Sequence, residues 1–284
     1  MEDFSDEEIS YKEDASGIKR KVVERKCEFC GEIFKAQLSK VREGNGKFCS
    51  ISCANRQNGQ NRFISNAIEG KRKAESLEWS SKLAYLVGLI ASDGSLRSGH
   101  PRVTFYSKDS EQIKNFEKII DDSIREEPGG VSVGEDGVKH ITITSRQLYY
   151  FLRDIGIHPN KSFTIGKIDI PNRYFADFVR GEIDGDGGFY WIRDKKFIST
   201  CITSGSKEFL KYLKNRINKI ITKNNQGSIY HDDDFFRLQF SLFDTLSIYN
   251  SIYNNAEYYL SRKWKIPKEF FDKYGHSQEE LRNR

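Results

Sequence analysis

Phe178-Val-Arg-Gly-Glu-Ile-Asp-Gly-Asp-Gly187 decides the fold. It closes a segment that starts at Phe175, holds a glycine inside an apolar stretch and ends on an acid followed by glycine. A second stretch ends the same way: Leu83-Ala-Tyr-Leu-Val-Gly-Leu-Ile-Ala-Ser-Asp-Gly-Ser-Leu96. Aligning Gly88 with Gly181 also aligns Asp93-Gly94 with Asp186-Gly187, at an offset of 93 residues in both cases. Either Asp-Gly pair alone reads as a helix-ending turn. Two pairs in matching context, each behind a glycine-bearing apolar helix, do not.

Inside a helix, glycine costs about 1 kcal/mol relative to alanine, and it is kept where two backbones must come close. The spacing therefore predicts that two helices pack through Gly88 and Gly181, and that their C-terminal ends deliver Asp93 and Asp186 to one place. Two carboxylates there repel each other, and the negative helix ends add to the repulsion. Divalent cations relieve it. Mg²⁺, or Mn²⁺, takes oxygen ligands and needs only one or two carboxylates plus phosphate oxygens. Ions so placed generate hydroxide and stabilise a leaving oxygen.

The segments downstream of the two motifs also repeat. After Asp93-Gly94 come a short strand, a turn at Ser98-Gly-His-Pro101 and a strand at 102–107. A helix at 109–123, strands near 131–133 and 139–144 and a helix near 146–154 come next. After Asp186-Gly187 come strands at 188–193 and 197–203, a helix at 206–222, strands near 228–231 and 235–240 and a helix at 242–255. Both halves read α-β-β-α-β-β-α, and a period this long is no solenoid. The fold class predicted is α+β, two duplicated domains about a pseudo-two-fold axis. The strands alternate: Val103, Phe105, Ile141 and Ile143, with Ile198, Ile202, Leu238 and Phe240, form apolar faces. The opposite faces carry Arg102, Thr104, Tyr106, His140 and Thr142 in the first half, and Ser199, Cys201, Thr203, Arg237 and Gln239 in the second. With Arg97 and Tyr190, these are the candidate DNA-contacting residues. A polar antiparallel ribbon fits the B-DNA major groove, although an ordinary solvent-facing sheet alternates in the same way.

The remaining features lie upstream. The chain has 284 residues, a net charge of +5 and 37% hydrophobic residues. Residues 1–16 hold seven acids and one lysine, a net −6, so the rest carries +11. An acidic, disordered tail and a basic body suited to a polyanion are expected from this split. Four of the five cysteines fall within residues 27–53, as Cys27-x-x-Cys30 and Cys49-x-x-x-Cys53. Two close thiol pairs joined by a short loop make a tetrahedral four-sulfur site suited to one structural Zn²⁺, with no open position for catalysis. The domains predicted are the tail at 1–16, a four-cysteine zinc module at 17–55, a basic linker at 56–78, and halves at 79–171 and 172–284. No apolar run approaches a membrane span, and no signal peptide opens the chain. We expect a protein of the cytoplasm of a bacterial or phage-infected cell, an organelle being the other setting.

The motifs Val87-Gly-Leu-Ile-Ala-Ser-Asp-Gly94 and Arg180-Gly-Glu-Ile-Asp-Gly-Asp-Gly187 resemble those of the LAGLIDADG homing endonucleases. The stretch Ile141-Thr-Ile-Thr-Ser145, a helix, and then Gly156-Ile-His-Pro-Asn-Lys-Ser162 is similar to that family's connection between halves. The resemblance covers about residues 80–270. It implies two αββαββα domains forming an antiparallel β saddle on double-stranded DNA, working as a monomer. It also implies metal-dependent cleavage of both strands, leaving short 3′ overhangs. The metal-ligating acids would be Asp93 and Asp186, with backbone carbonyls from Ser92 and Gly185. A basic residue beside each centre would be Lys161 and Lys263, with Arg262 as a competitor for the second. The earlier acid of the motif is Asp184 in the second copy and Ala91 in the first, a departure from the pattern.

Two other classes of function fit the same sequence: a cleavage-deficient DNA-binding regulator, and a maturase gripping intron RNA by its backbone. The paired acids weigh against the regulator; nothing in the sequence excludes the maturase, and one protein could do both jobs. Met1 and the ending Arg282-Asn-Arg284 lack the residues of protein splicing, so a free-standing or intron-encoded protein is expected. Trp79, Trp191 and Trp264 read as packing residues, and His231-Asp-Asp-Asp234 as a hairpin turn.

Overall fold

The computed structural model describes residues 9–13, 17–55, 57, 77–124, 129–194, 196–221 and 227–275. The chain divides into two compact units, Met1–Glu69 and Gly70–Arg284. The linker expected at 56–78 lies almost wholly outside the described residues.

In the first unit, β1 (Ile9–Glu13), β2 (Lys19–Lys26) and β3 (Ile33–Gln37) form an antiparallel sheet in that order, followed by the short helix α1 (Leu38–Arg42). Register places Ile9 opposite Val23, and Val23 opposite Ala36. Leu38 and Val41 of α1 complete a small core on that face. The expectation of a disordered tail is corrected for residues 9–13, which form a strand. Net charge concealed two local contacts: Ile9 packs on the small core, and Glu13 stands opposite Lys19.

The second unit repeats one plan. Its first half runs α2 (Ser81–Asp93), β4 (Gly94–Leu96), β5 (Arg102–Ser107), α3 (Ser110–Ile124), β6 (Ser132–Val133), β7 (Lys139–Thr144) and α4 (Arg146–Asp154). The second runs α5 (Phe175–Asp184), β8 (Gly187–Ile192), β9 (Phe197–Ser204), α6 (Lys207–Ile217), β10 (Ser228–Asp232), β11 (Phe235–Phe240) and α7 (Leu242–Tyr253). Both halves build open four-stranded antiparallel sheets of matching order, β4-β5-β7-β6 and β8-β9-β11-β10. An extra helix, α8 (Ser261–Tyr274), comes after the second half; the repeat in the sequence gave no sign of it.

Local chemistry explains the elements. Ser80, Ser145 and Ser206 each accept a hydrogen bond from the backbone N–H three residues on, capping α2, α4 and α6. The faces of Val103, Phe105, Ile141 and Ile143, and of Ile198, Ile202, Leu238 and Phe240, are buried. Leu83 through Ala91 of α2 are buried without a break, the pattern of a helix enclosed on all sides. Its largest neighbour is α5. Trp79 packs edge-on against Phe151, while Trp191 lies tilted against Phe270 and Trp264 tilted against Tyr259. His231 and Asp232 end β10, and Asp233 turns the chain in the left-handed region, at φ 42°.

Candidate active site at the paired helix ends

Helices α2 and α5 meet backbone to backbone. A Cβ on Gly88 would collide with the Phe178 carbonyl and lie 2.8 Å from Gly181 Cα. A Cβ on Gly181 would collide with the Tyr85 carbonyl and lie 2.9 Å from Gly88 Cα. No side chain fits at either point. The approach continues to the helix ends, where a Cβ on Gly185 would strike the Ser92 side chain and reach 3.0 Å from Asp93 Oδ2.

The two expected acids sit at this junction and feel each other's charge. Asp93 is half-buried, and burial first, then the negative charge of Asp186, pushes its carboxyl up to about 6. Asp186 keeps access to solvent, yet surrounding protein still raises its carboxyl, against the pull of Lys161 and Lys263. Its carbonyl accepts from the Thr203 hydroxyl (2.8 Å) and backbone N–H (3.1 Å). Thr203, expected on the DNA face, thus also fixes the backbone of Asp186.

Both lysines are buried at the junction. Lys161 Nζ donates to the Ser92 carbonyl (3.0 Å). Lys263 Nζ donates to the carbonyls of Ile183 (2.9 Å), Asp184 (2.7 Å) and Gly185 (2.7 Å). These are helix-terminal carbonyls that the helices themselves leave unsatisfied. Each lysine therefore caps a motif helix, and Lys263 spends all three of its donors doing so. The Ser92 and Gly185 carbonyls each hold an ammonium, with a second lone pair left over. Burial pulls Lys263 down to about 8, with Asp184, Asp93 and Asp186 opposing. Burial also lowers Lys161, with Glu182 the strongest opposing charge. Arg262 instead makes an exposed ion pair with Asp109 (2.9 Å).

Several contacts of the junction escaped the sequence reading. Glu182 is buried, and its Oε1 has no hydrogen-bond partner. Burial raises its carboxyl well above the ordinary range, Asp186 adds to this, and Lys161 opposes it. Asp184 Oδ2 accepts from Tyr85 Oη (2.9 Å) and the Leu260 N–H (2.9 Å), while its carbonyl accepts from Gln112 Nε2 (2.9 Å). Arg180 donates through Nε to the Tyr258 carbonyl (2.8 Å) and lies over the Tyr85 ring. A signal existed. At the 93-residue offset, Val87, Leu89 and Ala91 of the first motif become Arg180, Glu182 and Asp184 in the second. Charges at three alternate positions of a buried helix mark sites with partners.

The sheet residues divide. Arg97, Arg102, Tyr106 and Tyr190 are exposed, and Thr104, His140, Thr142, Thr203, Arg237 and Gln239 are partly so. Thr104 and Thr142 hydrogen-bond each other (2.9 Å), and Arg237 pairs with Asp232 (3.1 Å). Ser199 and Cys201 are buried, which corrects their assignment as DNA contacts. The Ser199 hydroxyl donates to the Phe240 carbonyl (2.8 Å) and accepts from Gln239 Nε2 (3.1 Å). The Tyr190 ring lies against Gly188, the β8 neighbour of Cys201, and Tyr190 itself stands opposite Ser199.

In the first unit, the sulfurs of Cys27, Cys30, Cys49 and Cys53 all lie within 4.8 Å of one another, a set able to hold a metal ion. Cys30 Sγ to Cys49 Sγ is 3.6 Å and Cys49 Sγ to Cys53 Sγ 3.5 Å. A tetrahedron with metal–sulfur bonds of about 2.3 Å has edges of about 3.8 Å. The Cys49 N–H donates to Cys27 Sγ (3.4 Å), and Gly31 turns the chain after Cys30 at φ 78°.

The sequence matches no known family description and no curated protein. Among solved structures, full-length DUF199/WhiA from Thermatoga maritima has a TM-score of 0.48 at 15% identity, covering 71% of this chain and 66% of that one. The chain thus spans just under two thirds of that protein's length. I-DmoI, solved in complex with DNA and Mn, has a TM-score of 0.46 at 18% identity, covering 62% of this chain and 98% of its own. The homing endonuclease I-WcaI, bound to its DNA recognition sequence, has 0.46 at 17% identity, covering 65% and 86%. Among the described residues, no helix is long and apolar enough to cross a membrane.

Proposed function

We propose that the second unit is a site-specific LAGLIDADG-type endonuclease that breaks both strands of duplex DNA and leaves short 3′ overhangs. One observation carries the reading: two helices locked together through Gly88 and Gly181 end on Asp93 and two residues before Asp186, and a buried lysine caps each end. Binding alone has no use for two acids held against their mutual repulsion. The donors at the junction are all oxygens, which suits Mg²⁺ or Mn²⁺. A bound divalent ion would supply a hydroxide nucleophile and neutralise the leaving oxygen. Asp93 and Asp186 would hold it, with the free lone pairs of the Ser92 and Gly185 carbonyls beside them. Lys161 and Lys263 keep the helix ends rigid and offset the charge that gathers there. The two sheets, in matching strand order, would form the saddle about a pseudo-two-fold axis. Arg97, Arg102, Tyr106, His140, Tyr190, Arg237 and Gln239 would face the DNA. One chain carries both halves, so a monomer suffices. Linearisation of plasmid DNA carrying the uninterrupted native locus, in Mg²⁺, is the test of this reading.

Glu182 gives a finer prediction. It is the strongest negative charge on Lys161, while Asp184 is the strongest on Lys263. Glu182→Leu, which copies Leu89, should slow the strand served by Lys161 more than the other. Strand-resolved cleavage of an end-labelled duplex measures it, and equal slowing of both strands would count against the assignment.

The four-cysteine site is read as structural Zn²⁺. Among the described residues, the small core of the first unit has Val23, Ala36, Leu38 and Val41 as its buried members, too few to fold it alone. Metal analysis should find one zinc per chain. Chelation should expose the amides of residues 17–55 to hydrogen exchange, because zinc binding of about 10–16 kcal/mol would supply the folding energy. Protection unchanged after chelation would remove this role.

A further inference from the structure

Phe163 is out of place for an apolar side chain. It is 72% exposed, more than any other aromatic residue among those described, and it belongs to no core cluster. It ends a single 3₁₀ turn, Lys161–Phe163, and so stands two residues from the lysine that holds the Ser92 carbonyl. The turn is held firmly. Asn160 leads into it in the left-handed region, at φ 60°, and the Lys161 carbonyl accepts from the N–H groups of Thr164 (2.9 Å) and Ile165 (2.8 Å). Ser206, in the second half, donates its hydroxyl to the Ile165 carbonyl (2.6 Å). Beside it, Gly205 gives the turn a bare backbone to rest on: a Cβ there would lie 2.7 Å from both Phe163 Cδ1 and the Ser162 carbonyl. Gly205 follows Thr203 by two residues, and Thr203 holds the Asp186 carbonyl. The ring is thus presented at the rim of the junction, on a fixed turn, with most of its surface uncovered. The matching position after Lys263 is Lys265, which pairs with Glu269 (3.6 Å), so of these two positions one carries a ring.

We infer that Phe163 is a wedge that enters a base step of duplex DNA beside the phosphate served by Lys161, unstacks that step and kinks the duplex there. This rests on duplex DNA lying across the junction, as in the endonuclease reading, but needs neither strand to be cut. Phosphates whose cleavage leaves short 3′ overhangs face each other across the minor groove of B-DNA. That groove, about 6 Å wide, admits a phenyl ring edge-on. Apolar side chains inserted from it unstack a step and bend the duplex toward the major groove. Insertion removes the ring from water, and a side chain presented on a fixed turn gives up little freedom in binding. Every base has a π face, so the wedge reads no base edge. It selects instead the pyrimidine–purine steps, which unstack most easily.

The test reads base stacking directly. Duplexes spanning the footprint of the full chain on its native locus carry 2-aminopurine at one position each. Fluorescence, which rises as the base unstacks, is followed on binding without added Mg²⁺. Wild type should unstack a single step, to one side of the centre of the footprint. Phe163→Ala should lose the signal and bind roughly 5- to 100-fold more weakly. Its melting temperature should stay within about 2 °C of wild type, because the ring is exposed. Phe163→Leu, still an apolar wedge, should keep most of the signal. The same signal from Phe163→Ala, or none from wild type at any position in the footprint, overturns the inference. A signal in the matching RNA duplex but not in DNA overturns it in favour of RNA. Cutting is scored separately in Mg²⁺. An unstacked step without a cut retains the wedge and rejects the nuclease, and a cut without an unstacked step does the reverse.

Discussion

Gly181→Ala should lower the melting temperature of the second unit by roughly 6–12 °C, the equivalent of about 3 kcal/mol or more. The sign is opposite to the ordinary effect, since alanine in a helix is favoured over glycine by about 1 kcal/mol. The added methyl would meet the Tyr85 carbonyl and the Gly88 Cα, which are backbone atoms with no rotamer through which to yield. The helices must separate, and Asp93 and Asp186 separate with them. Cleavage should therefore fall further than the loss of folded protein explains. Gly130→Ala, where nothing lies within 4 Å, is the control and should stay within about 0.5 kcal/mol of wild type. Thermal denaturation of both proteins measures it. A neutral Gly181→Ala would mean that the helix contact is looser than described.

Asp93→Asn should stabilise the metal-free protein while abolishing its activity. The Asp93 carboxyl is raised to about 6, chiefly by burial and then by Asp186. An acid raised on folding keeps a proton that the unfolded chain has released. Folding is therefore penalised increasingly as pH rises from about 4 to about 6, and fully above that. The penalty is about 1–3 kcal/mol once partial solvent access is allowed for. Asparagine removes it, so at pH 8 without metal the variant should melt about 3–8 °C above wild type. The gain should vanish near pH 4, where the wild-type acid is protonated. Mg²⁺ should raise the wild-type melting temperature and leave the variant's alone, while cleavage drops by roughly 10³-fold or more. A variant less stable than wild type at pH 8 would show that Asp93 is held by favourable contacts and is no strained ligand.

The motif helices were legible because both of their unusual features, a glycine inside an apolar helix and an acid at its end, recur at one spacing. Strand alternation likewise reveals which residues share a face. It cannot reveal what else covers that face, so the burial of Ser199 and Cys201 was hidden. The roles of the lysines were half-visible. Their places beside the centre accord with their positions in the chain, but their use as helix caps depends on carbonyls that only the fold brings within reach. Glu182 and Asp184 were written in the sequence as charges in a buried helix. Their partners Lys161, Tyr85 and Leu260 are 21, 99 and 76 residues away in the chain, beyond any local pattern. β1 was missed because a tail's net charge says nothing about one isoleucine seated on a small core.

The central claim is that Asp93 and Asp186 form a metal-dependent nuclease centre. The most direct measurement compares wild type, Asp93→Asn and Asp186→Asn on plasmid DNA carrying the uninterrupted native locus, with binding and cleavage followed in the same Mg²⁺ buffer. Wild type should make a discrete double-strand cut, and each variant should bind tightly without cutting. Salt-sensitive binding by all three proteins, with no cut by any on a substrate shown to contain the bound site, would contradict the claim and leave a DNA-binding regulator or an RNA maturase in its place.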